Sequence, residues 1–200
     1  MNRLRTNPWL ATLFLAALVF TLPVACGGGG GGSPTPPGLN VTWTPANASP
    51  GANTVSMGPG TVSGANFSVP IRVTGINDFF GAAFRVNYDS TSATFQGFSA
   101  SGSFIEEAGV TILISAVDGS AGEVLVNATR QQGAGNTYVP GVDPVGNDLL
   151  ITLNFLATQA TGAANTFTFS NTEVQTCNDG NQTCSPLVGV NFSGGSMTAR

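Results

Sequence analysis

Residues 64–76 have the sequence GANFSVPIRVTGI, and the alternation in this stretch decides the fold class. The apolar side chains occupy every second position: Phe67, Val69, Ile71 and Val73. Side chains at every second position share one face of an extended strand, so we predict a strand at Asn66–Thr74 with that face in a core. Pro70 cannot donate to a sheet ladder, which predicts an edge strand or a bulge there.

Further segments with strand character follow along the chain, bounded by Gly, Asn, Asp and Pro. Strands are predicted at 41–44, 54–57, 82–88, 93–99, 110–117, 123–130, 149–157, 166–170 and 196–200. No segment after residue 26 shows a sustained helical period. Roughly nine strands joined by turn-rich loops predict an all-β fold, an antiparallel β-sandwich, over residues 54–200. Most phenylalanines, and also Tyr88, fall on the inward phase and are assigned to the core.

The composition excludes several function classes. The chain contains no histidine and no lysine, so the usual general acid–base and amine nucleophiles are absent and we do not expect an enzyme. Beyond residue 25, four arginines face ten Asp and Glu residues, a net charge of −6. Binding to nucleic acid and adsorption to anionic lipid both depend on basic patches, so neither is expected.

Two cysteines stand close together in CNDGNQTC, at Cys177 and Cys184. In an exported protein the expected outcome is a disulfide that closes this short loop. A zinc site is the alternative, but two thiolates without histidine or further cysteines are too few ligands.

The first residues have the pattern of an export signal. Arg3 and Arg5 precede residues 9–22, an uncharged and mostly apolar run that has the length of a signal-peptide core and is short for a membrane span. The sequence LPVAC that ends at Cys26 resembles the lipobox of bacterial lipoproteins. This resemblance implies a signal peptide at 1–25 and lipid on Cys26. The alternative is an ordinary secretory signal followed by an incidental cysteine.

Residues 26–53 are predicted to tether the domain to the membrane. Six consecutive glycines, 27–32, are followed by SPTPPG, a composition that has no apolar face to bury. A lipid chain anchors because each buried methylene contributes about 0.8 kcal/mol. Gly27, rather than an aspartate, follows Cys26, and by analogy with lipoproteins this favours the bacterial outer membrane.

The order of the predicted strands resembles a cohesin domain from about residue 54 to 198. After GANFSVPIRVTGI come FGAAFRVNYDSTSATFQGFSA (80–100, with Tyr88-Asp89), NDLLITLNFLA (147–157), TFTFSNTEV (166–174) and SGGSMTA (193–199). The resemblance implies a nine-stranded jelly-roll sandwich, a fold that cohesins share with several carbohydrate-binding modules.

Cohesins bind dockerin domains and assemble polysaccharide-degrading complexes, so the resemblance implies a protein partner. The face that they use includes the strand that matches residues 81–88. The outward positions in that strand would be Gly81, Ala83, Arg85 and Asn87. Arg85 and Asn87 are therefore candidate ligand residues.

Two other functions stay open, a polysaccharide-binding module and a structural cell-surface lipoprotein. Sugar platforms use exposed planar aromatic rings. Trp43 and Tyr138 are the candidates for such contacts, although packing of Trp43 on the sandwich edge is the stronger interpretation.

No cofactor is expected, and structural calcium is an open alternative. Oxygen-bearing side chains cluster twice: Asp143, Asn147 and Asp148, then Asn178, Asp179 and Asn181. Calcium needs six to eight oxygen ligands, whereas Asn-Asp-Gly sequences are also ordinary turn chemistry. The adjacent Glu106 and Glu107 make a poor catalytic pair, since neighbours in an extended chain point to opposite sides, and a solvated loop is expected there.

Overall fold

The computed structural model describes residues 38–200. The predicted signal peptide (1–25), Cys26 and the tether up to residue 37 lie outside the described residues. The strands, in chain order, are β1 (Val41–Pro45), β2 (Thr54–Met57), β3 (Val62–Ser63), β4 (Asn66–Thr74), β5 (Phe79–Asn87), β6 (Ala93–Ser99), β7 (Ile112–Asp118), β8 (Glu123–Arg130), β9 (Asn147–Ala157), β10 (Asn165–Asn178), β11 (Thr183–Pro186), β12 (Asn191–Ser193) and β13 (Gly195–Ala199). A short 3-10 turn, Ala134–Asn136, lies between β8 and β9. Among residues 38–200, no helix has the length and apolar character needed to cross a membrane.

The strands form two sheets that pack face to face. The first sheet has the order β1-β13-β10-β5-β8-β7, with β11 added to β10. The second sheet has the order β12-β2-β4-β9-β6, with β3 added to β4. Every pairing is antiparallel except that of β12 with β2. The predicted all-β jelly-roll sandwich is confirmed, with short additional strands beyond the nine expected.

The strand that decided the fold class lies inside a sheet rather than at its edge. The side chains of Phe67, Val69, Ile71 and Val73 are buried, as the alternation predicts. However, β4 pairs with β9 along its whole length and with β2 and β3 on its other side. The edge position predicted from Pro70 is therefore wrong, while the predicted irregularity appears as a register shift between Ile71 and Arg72.

Pro70 fits inside this sheet because it lies opposite the gap between β2 and β3. Its carbonyl accepts the N–H of Gly58 at 2.8 Å, just after β2 ends. In a strand the N–H and C=O groups of one residue point to the same side, so the nitrogen of Pro70 faces the same gap. No ladder hydrogen bond is lost there, and a proline is tolerated.

An aromatic cluster fills the interior at one end of the sandwich. Phe167 lies at its centre and contacts the rings of four neighbours at centroid distances of 5.2–5.9 Å: Trp43, Phe67, Tyr88 and Phe155. The inward assignment of Tyr88 is confirmed, because its ring packs against Phe155 and Phe167. Of the phenylalanines described, Phe98 is the exposed exception.

Two boundaries differ from the sequence prediction. β1 pairs with β13 and lies within residues 26–53, so the sandwich begins before residue 54 and includes part of the predicted tether. β10 continues to Asn178, well beyond the predicted end at residue 170. Its alternation is interrupted by a register shift between Ser170 and Glu173, where Asn171 has a positive φ of 47°. A bulge of this kind breaks the period-2 pattern that sequence analysis relies on.

The predicted disulfide is confirmed between Cys177 on β10 and Cys184 on β11. The two cysteines face each other in the β10–β11 hairpin, where Cys177 is fully buried and Cys184 is exposed. In the chain-entropy model a loop of this size contributes about 2.5 kcal/mol. The bond fixes the end of β10 beside the loop that carries Gly141, whose N–H donates to the Cys177 carbonyl at 2.8 Å.

Candidate binding face

The outward side of β5 carries the residues that the sequence analysis placed on a ligand face. Alternation buries Ala82, Phe84 and Val86 under the sheet. It turns Arg85 and Asn87 to the opposite, solvent side, as predicted. Because β5 lies between β10 and β8, both neighbours contribute to the same surface. We call the solvent side of β10, β5, β8 and β7 the outer face.

A depression of about 230 Å³ lies at the centre of the outer face. Its floor is formed by Gly81 and Ala83, the two smallest outward residues of β5. The walls are longer polar side chains of the flanking strands: Glu173 and Gln175 on β10, Asn127 and Thr129 on β8. A methyl group added to Gly81 would lie 2.6 Å from both the Cβ and the Oγ1 of Thr129, so glycine keeps this floor open.

A charged pair borders the depression. The Arg85 Nη1 donates to both carboxylate oxygens of Glu123, at 3.0 and 3.1 Å. The Arg85 side chain is 40% exposed, so the pair contributes about 0–1 kcal/mol to stability. Beside it, Asn87 Nδ2 donates to Ser170 Oγ on β10 at 2.7 Å. Both predicted polar residues are therefore held in fixed orientations while their outer edges stay in contact with solvent.

Apolar side chains that were not predicted from the sequence extend the outer face across β8 and β7. Leu125, Val117 and Leu113 are 36%, 55% and 45% exposed. Leu125 lies directly opposite both Arg85 and Val117 in the sheet register. β7 has apolar residues on both phases, so periodicity alone could not tell which of its sides faced solvent, and on β8 Leu125 is the one apolar residue of a polar outward phase. The depression is thus flanked by an apolar patch on one side and by Glu173 on the other.

Trp43 is not part of a ligand face. It is 9% exposed, and its indole Nε1 donates to the Gly58 carbonyl at 3.0 Å. Its ring stacks on Phe67 and meets Phe167 edge-on. β1 lies at the edge of the first sheet away from β7, so Trp43 is a core residue. The candidate sugar contact assigned to it is wrong because the ring has no free face.

Tyr138 does not line the depression of the outer face. It follows the 3-10 turn and is half-buried, and its hydroxyl has no hydrogen-bond partner among the described residues. Burial, with the nearby carboxylates of Asp179 and Asp78, raises the pKa of Tyr138. The structure therefore brings Arg85 and Asn87 together and leaves Trp43 and Tyr138 elsewhere.

The two predicted oxygen clusters meet at Asp78. The Asp78 N–H donates to Asp143 Oδ1, and Asn178 Nδ2 donates to Asp78 Oδ2, both at 2.7 Å. Asp148 Oδ2 accepts the Val145 N–H at 2.7 Å, so it too acts within a turn. Residues 38–200 contain no group of three or more His, Cys, Asp or Glu placed to hold a metal ion. In this structure the carboxylate of Asp148 accepts a hydrogen bond within its own turn, whereas that of Asp143 joins two loops distant in sequence.

Glu107 has a partner that the sequence did not indicate. The loop that holds it is exposed, as predicted, but Glu107 Oε2 pairs with Nη2 of the buried Arg130. Glu106 makes no ion pair among the described residues. The Glu107–Arg130 ion pair forms because Arg130 ends β8 on its inward phase, and a buried guanidinium needs a carboxylate.

Comparison by sequence finds no matching protein-family model and no matching curated protein. Comparison by structure finds cohesin modules. The seventh ScaB type I cohesin from Pseudobacteroides cellulosolvens is 16% identical, with 79% of this chain and 89% of that one covered, at a TM-score of 0.51. The sixth cohesin from scaffoldin B of Acetivibrio cellulolyticus, in complex with a Cel5 dockerin mutant, is 21% identical over 80% and 97% of the two chains, at a TM-score of 0.49.

A non-cellulosomal cohesin from the archaeon Archaeoglobus fulgidus is 13% identical over 78% of this chain and 88% of its own, at a TM-score of 0.46. Sequence identities of this size indicate a shared fold but do not identify a binding partner. The likeness to the Pseudobacteroides module shows that this chain has the fold of cohesin modules.

Proposed function

We propose that this chain is a non-catalytic binding module that recognises a protein partner of the dockerin type through the outer face. One observation carries the proposal: a depression floored by Gly81 and Ala83 lies between an apolar patch and a polar rim. Protein interfaces typically combine an apolar centre with a polar rim and often include arginine. Arg85, held by Glu123 at the border of the depression, fits that arrangement.

The character of the partner follows from the same surface. Leu125, Val117 and Leu113 offer apolar contact area, while Glu173 offers a negative charge that has no ion-pair partner among residues 38–200. A partner that presents a small apolar side chain to the depression and a basic group to Glu173 would complement both. The cohesin resemblance suggests a dockerin, and through it a role in polysaccharide degradation.

Direct binding of a polysaccharide has less support. No exposed Trp, Tyr or Phe side chain lines the depression or the apolar patch within the part of the chain that the structure describes. Sugar platforms rely on such rings for apolar stacking. The aromatic residue predicted for this role, Trp43, lies in the core.

The proposal is tested by changing the outer face and a matched surface. We expect Ala83→Arg, which fills the depression, and Leu125→Asp, which places a charge in the apolar patch, each to weaken dockerin binding by about thirtyfold or more, the size of a hot-spot loss of 2 kcal/mol. Titration calorimetry against a panel of dockerins measures the effect. Thr94→Arg on β6 and Val62→Asp on β3 are exposed controls on the second sheet that should bind normally.

Two results would count against this proposal. The first is a wild-type chain that binds no dockerin in the panel but is retained on cellulose or xylan, which would favour the carbohydrate-binding alternative. The second is a loss of dockerin affinity in the control variants equal to that in Ala83→Arg and Leu125→Asp, which would place the interface elsewhere.

We also propose that the module is exported and held at the outer membrane by lipid on Cys26, with the glycine-rich stretch as a tether. The N-terminal pattern described above supports export, and so does the Cys177–Cys184 disulfide, since such bonds persist in oxidising compartments. A lipid-anchored module on a tether would present the outer face at a distance from the membrane.

The anchor is tested by cell fractionation. Cys26→Ala should move the protein from the membrane fraction to the soluble fraction, because the acyl chains can no longer be attached. The matched control is the double change Cys177→Ala and Cys184→Ala, which removes the other two cysteines and should leave the protein with the membrane. Unchanged membrane association of Cys26→Ala would refute lipidation at this residue.

A further inference from the structure

β7 is an edge strand whose outer backbone groups are free among the described residues. It pairs with β8 alone, and β8 lies between β7 and β5. The N–H of Gln131 donates to the Thr111 carbonyl at 2.8 Å, so Thr111 directs its backbone groups toward β8. Backbone direction alternates along a strand, so Leu113, Ser115 and Val117 also bond to β8. Ile112, Ile114 and Ala116 therefore direct their N–H and C=O groups away from the sheet.

Among the described residues, the other three strands that end the two sheet orders carry features that discourage pairing, and β7 does not. β12 is only three residues long. β6 has a register shift between Phe95 and Gly97. β1 ends in Pro45, and the carbonyl of Gly64 accepts the Val41 N–H at 3.2 Å, which occupies one of its backbone groups. Natural sheets use short strands, bulges, prolines and charges in this way to protect edges. β7, with the sequence ILISAVD, is seven residues long and carries a charge only at its last position.

The sequence of β7 is complementary to itself in one antiparallel register. With a two-fold axis at Ser115, Leu113 of one copy faces Val117 of the other on the outer face, and Ile114 faces Ala116 on the inner side. Ile114 and Ala116 are the residues whose backbone groups point outward, so they can exchange both hydrogen bonds of a narrow pair. The register also uses all seven residues of the strand.

The charges of the strand permit this register. Asp118 faces the uncharged Ile112 of the other copy, and the two Asp118 carboxylates lie at opposite ends of the pair. Leu113 and Val117, which are 45% and 55% exposed in one copy, would cover each other. Apolar cross-strand pairs of this kind contribute about 0.2–1 kcal/mol each.

We propose that a second copy of this chain pairs with β7, edge to edge about a two-fold axis at Ser115, and joins the first sheets of two molecules into one. The backbone pairing uses the strand edge of β7, and of the apolar patch on the outer face only Leu113 and Val117 take part. The contact area of two single strands is small, so the dimer forms at high local concentration, as on a membrane surface.

Site-directed cross-linking tests the register. In a Cys26→Ala full chain, Ser115→Cys places two thiols opposite each other at a wide pair, where Cα atoms lie about 4.5 Å apart and a disulfide can form. We expect Ser115→Cys to give covalent dimers under mild oxidation. The matched control is Asn127→Cys, one strand further in on the same face, which should stay monomeric.

Sedimentation velocity tests the interface without cross-links. The Cys26→Ala chain should show a dimer fraction that rises with concentration. Ala116→Pro removes an outward N–H and Val117→Asp places a charge opposite Leu113, so both should abolish the dimer, while Val62→Asp keeps it. A chain that stays monomeric, a dimer that survives both changes, or equal cross-linking of Ser115→Cys and Asn127→Cys would overturn the proposal. Dockerin binding is measured separately, and Ala116→Pro, whose side chain lies on the buried side of the sheet, removes the dimer without changing the apolar patch, so it separates the two proposals.

Discussion

Replacing Trp43 with alanine should lower the free energy of unfolding by about 3–5 kcal/mol, the usual cost of removing a large buried aromatic ring. The ring packs against Phe67 and Phe167, and nothing nearby can fill the cavity without moving β1 or β13. Gly195 on β13 is part of this fit, since a Cβ there would lie 2.5 Å from the indole ring. Denaturant titration followed by circular dichroism measures the loss without relying on tryptophan fluorescence.

Trp43→Phe is the matched control for this prediction. It keeps an aromatic ring but removes the N–H that bonds to the Gly58 carbonyl. A buried carbonyl that loses its donor costs about 1–3 kcal/mol, so the variant should fall between wild type and Trp43→Ala. If Trp43→Ala kept wild-type stability while removing retention on a polysaccharide, the core assignment would be wrong and Trp43 would be a ligand residue after all.

Glu107→Gln should destabilise the fold by about 1.5–3 kcal/mol, the range for a hydrogen bond to a charged group. Arg130 is buried, with its side chain 1% exposed, and its Nε has no partner among the described residues. Removing the Glu107 carboxylate therefore leaves a buried positive charge without compensation. Glu107 itself is 61% exposed, so it is readily solvated when alone.

The Glu107–Arg130 pair also predicts that replacing its two members has unequal effects on stability, which provides a control. Arg130→Met removes the buried charge and leaves only an exposed carboxylate, so it should change stability by less than about 1 kcal/mol, because well-packed apolar replacements of buried ions are often neutral. The double variant Glu107→Gln with Arg130→Met should resemble Arg130→Met. Denaturant titrations give these differences in unfolding free energy directly if the slope of that free energy against denaturant concentration is the same for all variants. Equal losses for the two single variants would contradict the assigned roles.

Patterning with a period of two residues made the sandwich predictable. Alternation gave β4, β6 and β8 with their observed ends, and it assigned Tyr88 to the core and Arg85 to solvent. These predictions succeed where one face of a strand is apolar and the other polar, because the pleat then has one low-energy orientation. The Cys177–Cys184 pair was predictable as well, since the spacing suits a hairpin.

Other features depend on contacts that alternation does not encode. β10 continues past a bulge at Asn171, and β4 accommodates Pro70 opposite a gap between two other strands. Part of the candidate face was not predictable from the sequence, since Leu113 and Val117 lie on β7, which has apolar residues on both phases. Glu107 pairs with Arg130 because the loop that carries Glu107 folds back to the end of β8.

By itself the sequence determined the all-β class, the central strands, the short disulfide loop and the outward phase of β5, because each follows from local spacing along the chain. Only the tertiary structure decided that Trp43 lies in the core, that Gly81 and Ala83 floor a depression, and that β7 is an unprotected edge. Those properties belong to the order of strands in a sheet, which is set by contacts between residues distant in sequence. Burial of apolar surface across two sheets selects that order, and no local pattern records it.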